Sequence, residues 1–596
     1  MCSICGWQLK RNESLDPEQL SSMSKAMLHR GPDFSGEFID QNKGIALSHN
    51  RLSIIDLSSA GQQPMISDDG STVLVYNGEL YNFIELRSQL EKLGHQFHSQ
   101  TDSEVILRSF IQWGITCVNH FDGMFAFAVW SAKSNKLFLA RDQMGMKPLY
   151  YSELPNGGGF IFASEIKAFL KLPHFNSQIN KSSLQQFLEF GYIFDEHETS
   201  IKNIYKLPPG HFLEVNKGKP GSPESYTSPY LPQQEINGSI HDREKSMYNA
   251  LIKVIDQHLI ADVPVGLLLS GGLDSSIIAA IAARNNKITT LSMGFSESLV
   301  DERSYARLVS KYIGSNHIEL EISPNEILDN IEEVIWCFDD LFSDWGTLST
   351  RLLYKKCREM GIKVVLVGEG SDEIFGGYPS FETITNNFRP LLWKLFQLYR
   401  HYAGRRYGWT FPKFYSIMKT YLAQSGFNLF HAIRLFESRN QLPNNYVMKV
   451  DKASMSVSVE ARTPFLDRRI TELAYQIPGS DLLKKGTNKY ILRSMSEQYS
   501  LLPKEITDRP KYGASIAASW MDDSIDFREY SKKILFARDG WVDQLGLRNA
   551  MESYFSGEKQ GYSFPHAISI FNNLSWRLLL LNLWSKKYLS ETGSFN

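Results

Sequence analysis

Residues 263–276 read Val263-Pro264-Val265-Gly266-Leu267-Leu268-Leu269-Ser270-Gly271-Gly272-Leu273-Asp274-Ser275-Ser276. An apolar strand, Val263–Leu269, gives way to a serine- and glycine-rich turn, and the turn opens a helix over Ser275–Arg284. Successive backbone N–H groups at such a turn form a nest for an anion, and the helix N-terminus adds positive potential. Ser270, Ser275 and Ser276 can donate further hydrogen bonds. Asp274 is an odd neighbour for phosphate unless a cation shields it. Magnesium fits, because it favours carboxylates together with nucleotide oxygens. The loop follows neither the Walker A spacing nor the dinucleotide fingerprint. A bare helix cap is the plainer reading, but the strand–loop–helix setting favours a phosphate site.

Outward from this loop the periodicity is that of alternating strands and helices. Upstream, Met247, Leu251, Val254, Ile255 and Leu259 make one helical face. Downstream, Thr289–Gly294, His317–Ile322 and Ile362–Val367 read as strands, and Glu302–Ile313 and Leu348–Met360 as helices. Strands apolar on both faces predict a parallel sheet covered by helices. The strand Ile362–Val367 runs into Gly368-Glu369-Gly370-Ser371-Asp372-Glu373, at the carboxyl end where open α/β sheets bind ligands. Asp372 is placed to hold the same magnesium as Asp274, and Glu369 to face the reacting centre. From about Phe388 on, the pattern is mostly helical.

Up to about residue 170 strands dominate instead: Ile45–Leu47, Thr72–Tyr76, Met124–Val129, Lys136–Ala140 and Phe160–Ala163. Helices are expected at Phe83–Leu93 and Asp102–Trp113. This predicts an α+β layered domain. Asn216–Ser239 is rich in Pro, Gly, Ser and Gln and reads as a linker.

The 596 residues leave room for more than one domain. A net charge of -2 gives no basic footprint for nucleic acid. No run of about 18 apolar residues is present for a membrane span; Trp576–Trp584 is too short and carries Arg577 and Asn582. No signal peptide precedes the first strand. Five cysteines in so long a chain do not form a disulfide framework and fit a reducing cytoplasm. Cys2 and Cys5 have half the spacing of a zinc site, with no second pair to complete it.

The chain begins Met1-Cys2-Ser3-Ile4-Cys5-Gly6. A small residue after the initiator invites its removal, which would put a thiol and a free α-amine on Cys2. An α-amine titrates near ~7.7–8.0, so at neutral pH it can take the thiol proton without a separate histidine. This is the arrangement of an N-terminal nucleophile.

Together these residues resemble the glutamine-hydrolysing asparagine synthetase family. The resemblance rests on Cys2-Ser3-Ile4, His29–Asp33, Arg51–Asp56, Asn77–Asn82, Arg141-Asp142, Ser270–Ser276, Gly368–Gly377 and Val459–Asp467, in that order. It covers most of the chain to about residue 515. It implies two domains. The first, residues 2–215, is a class II glutamine amidotransferase with an α+β Ntn-hydrolase fold, an αββα sandwich. A linker spans 216–240. The second, residues 241–596, is an α/β ATP-pyrophosphatase domain with a parallel sheet and a mostly helical tail.

The resemblance also implies roles. Cys2 attacks the side-chain amide of glutamine, and Asn77 and Gly78 form the oxyanion hole. Arg51 meets the glutamine carboxylate, Asp102 its α-ammonium, and Glu79 completes the contacts. Leu52, Ser53, Ile54 and Ile55 line that pocket. Asn77-Gly78 on its own is also a hairpin signal. In the second half, Leu268, Ser270, Gly271, Gly272, Leu273, Asp274, Ser275, Ser276, Met293, Val367 and Gly368 bind ATP, with Mg2+ on Asp274 and Asp372. Glu369 matches a catalytic glutamate of acyl-adenylate formation and attack by ammonia, and Lys452 a catalytic basic residue near the phosphates. The expected partners are small molecules, with a homodimer as the assembly and no nucleic acid or membrane. The expected acceptor is aspartate. Ser343-Asp344-Trp345-Gly346-Thr347-Leu348-Ser349-Thr350 lacks the arginine that aspartate-specific relatives carry there, which leaves a uronic acid as the alternative. A glutaminase-only or non-catalytic subunit is the alternative of another class.

Overall fold

The computed structural model describes the chain except residues 1, 11–12, 14, 174, 176, 228–235, 296–301, 345, 379–380, 382–388, 404–407, 485, 510–523, 539, 557–565 and 590–596. The first strand, β1 (Ser3–Leu9), is buried along its whole length. Its pleat sends Ile4 into one core and Cys5, Trp7 and Leu9 into another. α1 (Pro17–Ala26) packs with the second set through Leu20 and Met23. The chain then continues through β2 (Phe34–Asp40), β3 (Ile45–Arg51), β4 (Met65–Ile66), β5 (Thr72–Leu80), α2 (Phe83–Lys92) and α3 (Asp102–Trp113). After these come β6 (Gly123–Ser131), β7 (Lys136–Arg141), β8 (Tyr150–Glu153), β9 (Gly159–Ala163), α4 (Lys181–Phe190), β10 (Tyr205–Lys206) and β11 (His211–Asn216).

One antiparallel sheet has the order β10-β8-β9-β1-β3-β2. The other runs from β12 (Lys219–Pro220) through β11-β7-β6-β5 to β4, and β13 (Glu224–Ser225) also pairs with β11. Ile4, Leu47, Val75, Ala128, Leu139 and Phe162 fill the space between the sheets. α2 and α3 cover the outer face of the second sheet, packing Phe83, Leu86, Val105 and Ile106 against Tyr76, Phe125 and Phe127. This is the expected αββα sandwich. Residues 216–240, expected as a linker, hold β12 and β13, so their first part belongs to the second sheet.

The second half starts at α5 (Ile240–His258), whose Ser239 and Asp242 form a reciprocal capping box. It continues with β14 (Val265–Leu268), α6 (Leu273–Ala282), β15 (Thr289–Phe295), α7 (Arg303–Ile313), β16 (Asn316–Ile322), α8 (Gly346–Glu359) and β17 (Val364–Leu366). α9 (Val447–Met455), β18 (Glu460–Arg462) and α10 (His566–Tyr588) follow. Five parallel strands form the sheet β16-β15-β14-β17-β18. The order reverses between β14 and β17. The Ser270 loop follows β14 and the Glu369 turn follows β17, so both open into the crevice at the switch point. The apolar stretch Trp576–Trp584 lies in α10 and packs into the core. Among the described residues no helix is long and apolar enough to cross a membrane.

Gly271 shows why the loop needs glycine. Its φ is +70°, and a Cβ there would lie 2.6 Å from Ala306 N and Tyr305 Cβ. Gly271→Val is therefore predicted to cost at least ~1–3 kcal/mol in a urea unfolding series. An unchanged midpoint would contradict this account of the turn.

Candidate active site

Cys2 stands at the head of β1, buried at the edge between the two halves. Its backbone N donates to Asn77 Oδ1 at 3.0 Å, and its carbonyl accepts from Arg30 Nε at 3.1 Å. Burial pushes the thiol up, while the Leu52 backbone N–H and Arg51 pull it down. Asn77 Nδ2 is buried with no hydrogen-bond partner among the described residues. A buried amide donor left open beside a thiol is what an oxyanion site requires. Gly78, next on β5, must be glycine because a Cβ would meet Met124 O at 2.2 Å on the neighbouring strand.

The other expected glutamine contacts gather here, each with a defined partner. Asp102, at the start of α3, accepts from Tyr76 Oη and Leu80 N, both at 2.9 Å. Arg51 Nη1 donates to Ser58 O at 2.8 Å, and Nη2 donates to the carbonyls of Ile55 and Asp56. The loop that carries Leu52, Ser53, Ile54 and Ile55 is thus wrapped around the Arg51 fork. Ser53 N donates to Asp33 Oδ2 at 2.8 Å. Glu79 lies 3.0 Å from Arg462 Nη2, on the second half's β18. Burial raises the Glu79 carboxyl against the pull of Arg462.

His49, opposite Ile4 on β3, sits 3.0 Å from Tyr76 O through Nε2. Burial lowers it to about 3, so it is neutral and no acid–base partner at pH 7.

The second site is a cavity of about 710 Å³. Leu268, Ser270, Gly272, Asp274, Ser275, Met293, Val367, Gly368, Glu369 and Asp372 line it. Of the other expected nucleotide contacts, Gly271 packs on Tyr305 and Ala306, Leu273 turns into the core, and the Ser276 hydroxyl is buried. These three do not line the cavity; they shape the loop from behind. Ser270 Oγ and Ser275 Oγ lie 3.1 Å apart across the turn. Ser371 Oγ donates to Asp274 Oδ1 at 2.8 Å, tying the two loops together. Burial raises the Glu369 carboxyl, opposed chiefly by Lys449.

The expected basic residue is corrected. Lys452 is fully buried with its Nζ 2.7 Å from Asp339 Oδ1 and 4.0 Å from Glu165 Oε1, away from the cavity. Two other lysines lie closer to the expected ATP contacts. Lys449, one turn earlier on α9, lines the cavity 3.4 Å from Asp344. Lys489 places Nζ 2.7 Å from Asp274 Oδ2 and 2.6 Å from Asp372 Oδ1. Lys489 has a φ of 54°, a conformation that non-glycine residues rarely adopt. No pattern in Gly486-Thr487-Asn488-Lys489-Tyr490 marks it beforehand. The two aspartates converge on one cation, at hydrogen-bond distance from each, beside the phosphate loop. That donor set fits Mg2+, which takes one or two carboxylates plus phosphate oxygens. Trp345 of the acceptor segment lies outside the described residues.

The geometry therefore defines a class of protein: a buried thiol with an open amide donor in an αββα sandwich, joined to a parallel sheet whose phosphate loop and acidic turn share a crevice. Comparison with known proteins agrees. Residues 1–227 match the glutamine amidotransferase domain family, and residues 247–586 match the asparagine synthase family. The chain is 31% identical to asparagine synthetase [glutamine-hydrolyzing] 3 of Bacillus subtilis (strain 168), over 95% of this chain and 95% of that one. It is 29% identical to asparagine synthetase [glutamine-hydrolyzing] 1 of the same organism, over 99% and 98%. A Zea mays asparagine synthetase [glutamine-hydrolyzing] is 29% identical over 86% and 77%. The chain belongs to the asparagine synthase family.

A linkage prediction follows from His49. Unfolded, it titrates near ~6.5; folded, at about 3. Its contribution to stability is full above the unfolded value and is lost as pH falls towards the folded one. His49→Gln should therefore lose less stability than wild type between pH ~6.5 and ~4. Parallel pH–stability curves from urea unfolding would refute the assignment.

Proposed function

We propose that this protein is a glutamine-dependent amide ligase that converts aspartate to asparagine with ATP, releasing AMP and pyrophosphate. The observation that carries the glutaminase half is the open Asn77 Nδ2 beside Cys2. Removal of Met1 would free the Cys2 α-amine to take the thiol proton. Sγ attacks the glutamine amide carbon, and the developing oxyanion accepts from Asn77 Nδ2 and the Gly78 N–H. Ammonia leaves with a proton, and water hydrolyses the thioester to glutamate.

In the cavity an acceptor carboxylate oxygen attacks the α-phosphorus of ATP, and pyrophosphate departs. Ammonia then attacks the acyl carbon and AMP leaves. The Ser270–Ser275 loop grips the phosphates, and Lys489 offers charge to the departing pyrophosphate. Asp274 and Asp372 would hold Mg2+, which when bound neutralises the phosphate charge. Glu369, whose carboxyl is raised by burial, is suited to take a proton from the attacking ammonia. The names of the relatives support aspartate over a uronic acid as acceptor. The intact charged residues of both sites argue against a glutaminase-only subunit. Five free, buried cysteines suit the cytoplasm.

The test is a pair of variants assayed for pyrophosphate release with aspartate, ATP and Mg2+. Cys2→Ala should lose glutamine-driven synthesis and keep ammonium-driven synthesis. Asn77→Ala should lower glutamine-driven turnover by about 10²–10³ and leave ammonium-driven turnover unchanged. Loss of both nitrogen sources together in either variant would overturn this division of labour.

A further inference from the structure

One wall of the cavity is built from three segments far apart in sequence. Ser343 N and Oγ donate to Gly191 O at 2.8 and 2.9 Å. Trp576 Nε1 donates to Ser343 O at 2.9 Å. Gly191, Tyr192, Ser343, Asp344, Trp576 and Arg577 line the cavity together, along with Glu369. Arg577 therefore enters the site from α10.

Three lining residues are cationic: Arg303, Lys449 and Arg577. Lys449 lies 3.4 Å from Asp344, and Arg303 lies 3.7 Å from Glu321. Arg577 differs. Its Nη1 donates to Leu188 O and Glu189 O, both at 2.8 Å. These are last-turn carbonyls of α4, orphan acceptors by the geometry of a helix end. Nε and Nη2 have no hydrogen-bond partner among the described residues, and no carboxylate there lies within ion-pair distance, though the Glu189 carboxylate acts on the guanidinium from farther off. The fully buried arginines fall into two groups. Arg30 is paired with Glu165 and Asp451, and Arg462 with Glu79 and Glu460. Arg141 and Arg434 rest on carbonyls, but neither lines the cavity. Burial pushes Arg577 down to about 10, yet an arginine keeps its proton at neutral pH. It is a permanent, poorly solvated charge with part of its fork open to the site, and the planar fork suits a carboxylate or phosphate.

We infer that Arg577 binds an anionic group of the acceptor other than the carboxylate that reacts, so that the acceptor is a dianionic acid. This rests on the reading of the cavity as the amide-forming site. For aspartate the group is the α-carboxylate; in a phosphorylated acid it would be the phosphate. Gln substitution removes the fork, and Lys keeps a charge able to cap the α4 carbonyls.

The experiment measures pyrophosphate release by the full chain with ATP, Mg2+ and ammonium chloride. The acids are aspartate, β-alanine (aspartate without its α-carboxylate) and 3-phosphoglycerate. Wild type should prefer aspartate to β-alanine, and Arg577→Gln should cut kcat/KM for aspartate by on the order of 10² and largely erase that preference. KM for ATP and the glutaminase rate should stay unchanged, and Arg577→Lys should recover part of the loss. Equal losses with aspartate and β-alanine, or a matching rise in KM for ATP, would make Arg577 a structural pin and overturn the inference. Turnover of 3-phosphoglycerate but not aspartate, with the same dependence on Arg577, would uphold the inference and reject aspartate as the acceptor. No pyrophosphate release from any acid would reject the cavity's assigned chemistry and the inference with it.

Discussion

The ion pair between Glu79 and Arg462 is the constraint on which the two-site architecture turns. Glu79 follows the Asn77-Gly78 pair of the glutaminase half. Arg462 lies on β18, at one edge of the parallel sheet. Its guanidinium also pairs with Glu460 at 2.6 Å and donates to His258 O and Ile260 O, both at 2.7 Å. Its own carbonyl accepts from Val367 N at 2.9 Å, two residues before Glu369. One residue thus touches the glutamine end with its side chain and the acidic turn with its backbone. Removing one partner would strand a buried charge, a loss of about 3–5 kcal/mol in comparable pairs. Opening the interface at this pair would therefore be costly.

A second buried network reinforces it. Arg30 donates to the Cys2 carbonyl and pairs with Glu165 at 3.0 Å and Asp451 at 2.8 Å. Lys147 reaches Asp451 at 3.3 Å, and Lys167 reaches Glu165 at 2.6 Å. Lys452 closes the chain on Asp339. Charges from both halves alternate in sign through this region, so each desolvated group has an opposite neighbour. Glu165, Asp339, Asp451 and Lys452 are all buried there. Free ammonia reaching bulk water would be protonated and lose its nucleophilicity.

Much of this was legible in the chain, for identifiable reasons. The phosphate loop declares itself because an apolar strand, a Ser-Gly-Gly turn and a helix occur together in 14 residues. Cys2 is readable by position, and Asn77, Arg51, Asp102 and Glu79 come only through the family resemblance. What failed has physical causes. β18 is three residues long and reads Glu-Ala-Arg, yet it is fully buried, because Glu460 pairs with Arg462 on the strand itself and Arg462 with Glu79 across the interface. β1 mixes Cys, Gly and Gln with apolar residues, since both its faces are covered and no alternation survives. Lys452 and Lys449 share one helix a turn apart, and only packing decides which faces the cavity. Lys489 reaches Asp274 and Asp372, and Arg577 the cavity wall, from positions with no local signature. The His29–Asp33 and Val459–Asp467 blocks were recognisable as resemblance, but their work in joining the halves depends on contacts across more than 400 residues, such as Ser458 Oγ to His29 O at 2.7 Å.

The proposed division of labour joins two sites, and we propose that nitrogen freed at Cys2 reaches the acyl intermediate without mixing with ammonium in solvent. The direct measurement supplies 15N-amide glutamine together with a large excess of unlabelled ammonium and reads the isotope in the amide product by mass spectrometry. The account predicts product labelled nearly in full while glutamine saturates the first site. Label diluted to the isotope ratio of the bulk ammonium would contradict it.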